Sequence, residues 1–315
     1  MTAKRLLLPL LALISFNAAA APRAFITNQL DNSVSVIDGD TRQTLATVQL
    51  DGKPAGVAVN PARRQVYIST PESGGFWVLD SQTLNKLRHV KAGGASLGIA
   101  VDPSGGRVFV ADWYENTVSL FETGQFTKQA DLTVGKSPSG LAISPDSRWL
   151  YVANRMDDSI SQLDLKTLSL RNTTKIGAHP FGICVDRAGR YLYAANVESN
   201  DVSILDAQSL KRVNRIAVGA RPYAVALAQN DSRLFVTNQD DGTVTVLDTE
   251  NFRILATLSV GDKPEGIAAH PDGRHVYVAN WLDNSVSVID AQTLSVIDTL
   301  KTGEGSRAFG QFFAP

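Results

Sequence analysis

The chain has 315 residues, 43% of them hydrophobic and 19% charged, the balance of a globular protein with a large core and not of a disordered one. Its 30 basic and 31 acidic residues give a formal charge of −1, which argues against a general nucleic-acid or membrane-surface binder with a strongly basic face. The single cysteine, Cys184, forms no internal disulfide and, in the apolar run "FGICVD", is expected to be buried.

Residues 1–20 read as a secretory signal peptide. Lys4 and Arg5 form a positive start, Leu6 to Phe16 an apolar stretch too short to span a bilayer, and Ala18 and Ala20 the small pair before a cut after Ala20. No cysteine follows the cut, so no lipid anchor is expected. Losing Lys4 and Arg5 leaves 28 basic against 31 acidic residues, a formal charge of −3. The expected destination is the periplasm or the exterior, with no membrane span and a monomeric state.

Residues 21–315 repeat themselves seven times at a constant step of 42, without insertions. An aromatic ring recurs at Phe25, Tyr67, Phe109, Tyr151, Tyr193, Phe235 and Tyr277. The same step carries Asn28, Thr70, Asp112, Asn154, Asn196, Asn238 and Asn280, then the acids Asp38, Asp80, Glu122, Asp164, Asp206, Asp248 and Asp290. Each copy holds four short strand patterns; in the last these are "EGIAAH", "HVYVAN", "SVSVID" and "SVIDTL". A period of this length with four strands per copy predicts an all-β, seven-bladed propeller of four-stranded blades.

The turns are written in residues that tolerate positive φ. Between the first two strands of the "YVAN…SVID" hairpin stand Asp31-Asn32, Ser73-Gly74, Glu115-Asn116, Asp157-Asp158, Ser199-Asn200, Asp241-Gly242 and Asp283-Asn284. The acid that closes each "SVID" is placed to accept backbone N–H groups of its own turn, as in "DAQT" from Asp290. Seven acids in one slot are therefore turn-formers, not catalysts. The outermost strands, "NKLRHV", "TKQADL" and "LKRVNRI", mix charge into their edges, a usual defence against edge pairing.

"YVAN" at Tyr151 and Tyr277, "FVTN" at Phe235, "SVSVID" at Ser33 and Ser285, and "VGDKPEGIAAHPDGR" from Val260 carry a resemblance to the YVTN-type seven-bladed β-propeller family. It spans residues 21–315. The resemblance implies the fold and, because these are framework residues, no particular activity. The chain begins on "RAFITN" and ends on "SRAFGQFFAP" (306–315), which occupies the innermost-strand slot. The last strand is therefore expected to complete the first blade and close the ring.

Catalytic look-alikes dissolve in the repeat. "GASLG" (94–98) fits a nucleophile elbow, yet no helix pattern follows, and Ser96 occupies the slot held by proline at 54, 138, 180, 222 and 264. "ADLTVGKS" (130–137) lacks the first glycine of a phosphate loop. The histidines His89, His179, His270 and His275 fall at four different repeat positions, so no metal or cofactor is expected. His270 and His275, which bracket "PDGR", read as solvated turn residues.

Private chemistry belongs where one slot varies between copies. The loop into each inner strand and the first hairpin loop should share one face, around the channel mouth. They bring Trp113, Tyr114, Arg155, His179, Phe181, Arg221, Tyr223, Lys263, Glu265, Trp281 and Arg307 together as a basic, aromatic cup inside an acidic rim. Trp113 and Trp281 share a slot in different blades and are expected to face each other across the mouth. The reading favoured by these features is a non-catalytic docking protein for a small ligand or partner protein. An enzyme resembling propeller lactonases or streptogramin-type lyases, with His179 and Glu265 at the mouth, is the alternative. Single-stranded nucleic acid stacking on the aromatics is disfavoured by the negative charge.

Overall fold

The computed structural model describes residues 21–315, and within them each 42-residue copy folds as one antiparallel blade of a seven-bladed ring. The signal-peptide expectation for residues 1–20 lies outside the described residues. Blade 7 shows the plan: Pro264–Ala269 on the inside, then His275–Asn280, Ser285–Asp290, and Ser295–Lys301 on the outer edge. Its central hairpin runs in unbroken register from His275 opposite Asp290 to Asn280 opposite Ser285. Helical structure among the described residues is limited to three one-turn 3₁₀ segments.

The repeated aromatics explain why the second strand of a blade is apolar on consecutive residues. Blades pack face to face, so both sides of that strand are covered, and the rings from Phe25 to Tyr277 are all at most 1% exposed. Two of the tyrosines also tie neighbouring blades together. Tyr151 Oη donates to the Ala207 carbonyl and Tyr277 Oη to that of Gly39, each at 2.7 Å. Outer strands alternate instead, as in Thr44–Gln49, because one face is wet.

Polar slots set the spacing between blades. In the hairpin pairs it is the second residue that takes positive φ, from 48° at Asp158 to 64° at Gly74. Asn32, Asn116, Asp158, Asn200 and Asn284 then accept the backbone N–H of residues 53, 137, 179, 221 and 305 in the next blade, at 2.7–3.0 Å. Each closing acid does what its slot predicts; Asp290 Oδ1 accepts from the Gln292 and Thr293 N–H groups, and Asp38 from those of Asp40 and Thr41. Against the burial that would raise it, the Thr293 N–H, the Arg274 guanidinium and the Gln292 N–H bring Asp290 down to about 2.

Around the axis the inner strands approach so closely that a side chain has no room. A Cβ on Gly98 would lie 1.8 Å from the Ser139 carbonyl oxygen, and one on Gly140 2.2 Å from that of Phe181.

Closure joins the termini as expected, with one difference. Phe313–Ala314 pairs with Ala24 and Arg23 as the innermost strand of blade 1, and the Phe25 N–H donates to Phe312. The closing segment is broken, however: Phe309–Gly310 first runs parallel to Gly56–Val57 of blade 2. Gly310, at φ of 106°, permits the detour, since a Cβ there would sit 2.4 Å from the Val57 oxygen. The solvated reading of His270 is corrected. It is 4% exposed, lies against Tyr277 and meets Phe313 edge-on, with ring centres 6.3 and 5.1 Å away.

Two outcomes follow. Removing residues 306–315 strips Phe312 and Phe313 from the core and opens the ring, so the truncated chain loses cooperative unfolding in a thermal melt followed by circular dichroism; an unchanged melt would refute closure. Lowered carboxyl pKa values such as those of Asp38, Asp80, Asp206 and Asp290 stabilise the fold above the ordinary value of 3.8. The melting temperature is therefore expected to hold down to about pH 5 and to fall progressively as pH drops through 4 toward 2.

Candidate functional site at the channel mouth

The cup is built by three adjacent kinds of loop. Asp112, in the slot that is asparagine in most blades, accepts the N–H groups of Ala95, Tyr114 and Glu115 and thereby fixes the Trp113–Tyr114 hairpin. Arg155 opens the one-turn helix Arg155–Asp157, which Asp158 terminates in the left-handed region. The inner strands Pro180–Val185, Pro222–Ala228 and Pro264–Ala269 deliver Phe181, Tyr223 and Glu265 from their starts into the mouth, and the closing segment delivers Arg307. Together with Pro71, Ala95, Leu97, Tyr114, Arg221 and Gln239 these residues line a cavity of about 460 Å³. That is room for a small ligand.

Aromatic rings form the floor. Phe181 lies 4.1 Å from Tyr223 and 5.4 Å from Phe309 between ring centres, and lines both the cup and the channel beneath it. The channel void, about 270 Å³, is walled by inner-strand residues such as Ile99, Leu141, Ile183 and Ile267. Cys184 faces this void, half-buried, and burial pushes its thiol well above the ordinary range.

A buried ion pair crosses the cup. Arg307 Nε lies 2.7 Å from Glu265 Oε2, a contact held by charge, because the N–H does not point along it. Arg307 also donates to Tyr223 Oη at 2.7 Å and to Gln29 Oε1 at 3.0 Å, while Gln239 donates to Glu265 Oε1 at 2.7 Å. Burial pushes the Glu265 carboxyl up, opposed by Arg307 and Gln239, and pushes the Tyr223 phenol to about 12. Burial alone would lower the guanidinium of Arg307, but Glu265 and Tyr223 hold it charged.

The other cations divide into rim and cup. On the rim Glu198 sits 3.9 Å from His179 Nδ1 and 2.7 Å from Arg221, and Asp240 sits 3.7 Å from Arg221 and 2.7 Å from Lys263. Arg155 differs. Among the described residues its guanidinium has no carboxylate within ion-pair distance; it lies over Trp113 and Phe181, 5.9 and 5.5 Å from the ring centres. Burial and the nearby charges of Arg221 and Arg307 depress its pKa from the ordinary value, against Tyr223 and Glu198.

Of the residues the sequence brings forward, Trp113, Tyr114, Arg155, Phe181, Arg221, Tyr223, Glu265 and Arg307 line the cup. His179 and Lys263 belong to the rim. Trp281 is not among the residues that line the cup; its indole nitrogen lies beside the loop at Gly305, 3.1 Å from where a Cβ there would stand. Glu265 faces Arg307 and Gln239 within the cup, whereas the carboxylate beside His179 is Glu198 on the rim. Gln239 escapes a search for charge and aromatics, although it occupies the hairpin slot of Trp113 and Arg155.

Fold and cup define a seven-bladed β-propeller with a polar, aromatic pocket at one channel mouth. Residues 123–209 match the family described as "Lactonase, 7-bladed beta-propeller", and residues 222–307 the "Cytochrome D1 heme domain". No curated protein sequence matches the chain. Among solved structures, hydrazine synthase of Kuenenia stuttgartiensis is 21% identical over 84% of this chain and 91% of its own, with a TM-score of 0.79. A functionally unknown protein from Desulfotomaculum acetoxidans is 12% identical over 91% and 99%, TM-score 0.79. The dihydro-heme d1 dehydrogenase NirN is 16% identical over 93% and 76%, TM-score 0.70. These likenesses share the propeller. No helix among the described residues is long and apolar enough to cross a membrane.

Breaking the buried pair is expected to be costly. Glu265→Gln should destabilise the protein by about 3–5 kcal/mol in urea unfolding, whereas the apolar double replacement Glu265→Leu/Arg307→Met should recover most of that loss. A single variant as stable as the parent would show that the pair is solvated.

Proposed function

We propose that this protein is a binding propeller of the periplasm that captures a small carboxylate-bearing ligand in the cup, with Arg155 as the anion contact and Trp113 as the flat apolar wall. The observation that carries the reading is the state of Arg155: a half-buried guanidinium with aromatic neighbours and no acidic partner, beside cations that all have one. A guanidinium presents paired N–H donors that match a carboxylate, and its partial desolvation strengthens the contact. The cup lining carries three arginines against one acid, so its formal charge favours an anion. Membership of the YVTN-type family, which the repeat motifs favour, is part of the same proposal, as is export by a signal peptide.

A second reading is a lactonase-like hydrolase, favoured by the family match over 123–209, a span that contains Arg155 and Phe181. Hydrolysis of a lactone yields a hydroxy-carboxylate, the chemistry Arg155 would hold. Glu265 is a poor general base here, because its two oxygens already face Gln239 and Arg307. Haem is the group suggested by the other family match, and the donor set does not fit its iron. No His, Cys or Met lines the cup, and the Tyr223 phenol stays protonated with Oη facing Arg307.

The test is native mass spectrometry of the untagged protein from its own cell extract, followed by titration of a panel of aromatic and aliphatic carboxylates monitored by tryptophan fluorescence. The expected result is a bound acid whose affinity drops roughly thirtyfold in Arg155→Ala, the loss of one charge-assisted hydrogen-bonding contact of about 2 kcal/mol. Equal binding by Arg155→Ala and Trp113→Ala would overturn the reading; turnover of lactones by the parent protein would select the second.

A further inference from the structure

At the end of the ring away from the cup, we infer that His270, Asp272 and His275 form a binding site for one divalent cation of the zinc type. His270 and Asp272 lie in the turn that joins the inner strand Pro264–Ala269 to His275–Asn280, His275 opens the second strand, and the ligand atoms of all three fall within 4.8 Å of one another. Asp272 Oδ2 stands 3.1 Å from His270 Nδ1 and 2.6 Å from His275 Nδ1. Ligands of a four-coordinate zinc ion, bound at about 2.0–2.2 Å, lie roughly 3.3 Å apart, so the triad needs only a small opening to receive the ion. Two imidazoles and a carboxylate are the donor set that zinc takes when one position is left to water or another ligand.

The turn itself does not require these histidines. In blade 3 the same turn is satisfied by Asp102 Oδ1, which accepts the Gly106 and Arg107 N–H groups. In blade 7 that work falls to Asp272 Oδ1, which accepts from Arg274 and His275, and Oδ2 is left facing the two rings. His270 is held rigidly between Tyr277 and Phe313, and its other nitrogen, Nε2, is buried without a hydrogen-bond partner. Asp40 Oδ1, from blade 1, stands 3.6 Å from that nitrogen. A carboxylate behind a metal-bound imidazole is the usual means of orienting it, and a cation on Nδ1 would leave Nε2–H to donate to Asp40.

Two contacts must give way. His270 Nδ1 now accepts a 3.2 Å hydrogen bond from the Asp272 N–H, and Arg42 approaches His275 Nε2 at 3.5 Å. Arg42 already pairs with Asp298, at 3.6 Å, and can turn toward it. The side chains of Asp272 and His275 are 35% and 23% exposed, which leaves the ion a route in and a solvent-facing fourth position. Because Asp40, Gly39 and Phe313 all belong to blade 1, a cation here would also brace the seam at which the ring closes.

The experiment uses the untagged protein, stripped with a chelator and titrated with Zn²⁺ by calorimetry and with Co²⁺ by visible absorption. Expected are one equivalent of zinc, a higher melting temperature in its presence, and a cobalt spectrum of low coordination number. His275→Ala, on the exposed side of the site, and Asp272→Asn, which keeps the oxygen the turn needs, should each weaken binding by about tenfold or more, while Arg155→Ala should not. No zinc uptake by the stripped protein, or uptake weakened less than tenfold in both turn variants, would overturn the site.

Discussion

The contact between Arg307 and Glu265 joins the two halves of what this molecule has to do. Arg307 arrives on the segment that closes the ring, Glu265 on the inner strand of the last blade, and Tyr223 and Gln29, from blades 6 and 1, each accept a hydrogen bond from the guanidinium. A buried pair of this kind is a weak source of net stability, because desolvating both charges offsets much of their attraction. Its consequence is geometric. With both charges neutralised inside the protein, the cup keeps its polar groups in one arrangement, and among the described residues that line it Arg155 is left without a carboxylate.

The ring beneath the cup is spaced by repetition. One residue in each hairpin takes a left-handed conformation and, in five blades, also caps the next blade's loop, so turn geometry and blade spacing are a single constraint. At the axis, glycine lets neighbouring inner strands meet at distances that no side chain would permit. This rigidity is what allows variable loop residues to face a common cavity without disturbing the fold.

The scaffold was legible in the sequence because each rule is written several times. Seven acids in one slot have to be explained by something every blade needs, and backbone N–H groups supply it. The site is written once, and side-chain direction decides it. Trp113 and Trp281 share a slot, yet Trp281 lies with Leu30 beside Gly305, outside the cup lining, while Trp113 lines the cup beside Arg155. His270 looked like a turn residue because its neighbours are Pro, Asp and Gly, yet its slot is buried in other blades too, at Asn60, Asp102, Ser144, Asp186 and Ala228; only its contact with Phe313 comes from ring closure. The detour of Phe309–Gly310 to blade 2 likewise depends on a partner remote in sequence.

The most direct test of the account is to watch Arg155 itself. Side-chain Nε resonances of arginine, recorded by nitrogen-15 NMR while the captured acid is titrated, separate it from the paired Arg221 and Arg307. Because Arg155 starts without an acidic partner, its resonance is expected to move most and to saturate with the ligand, while that of Arg221 stays nearly fixed. A ligand that saturates the protein while the Arg155 resonance remains in place would contradict the assignment of the cup as an anion site.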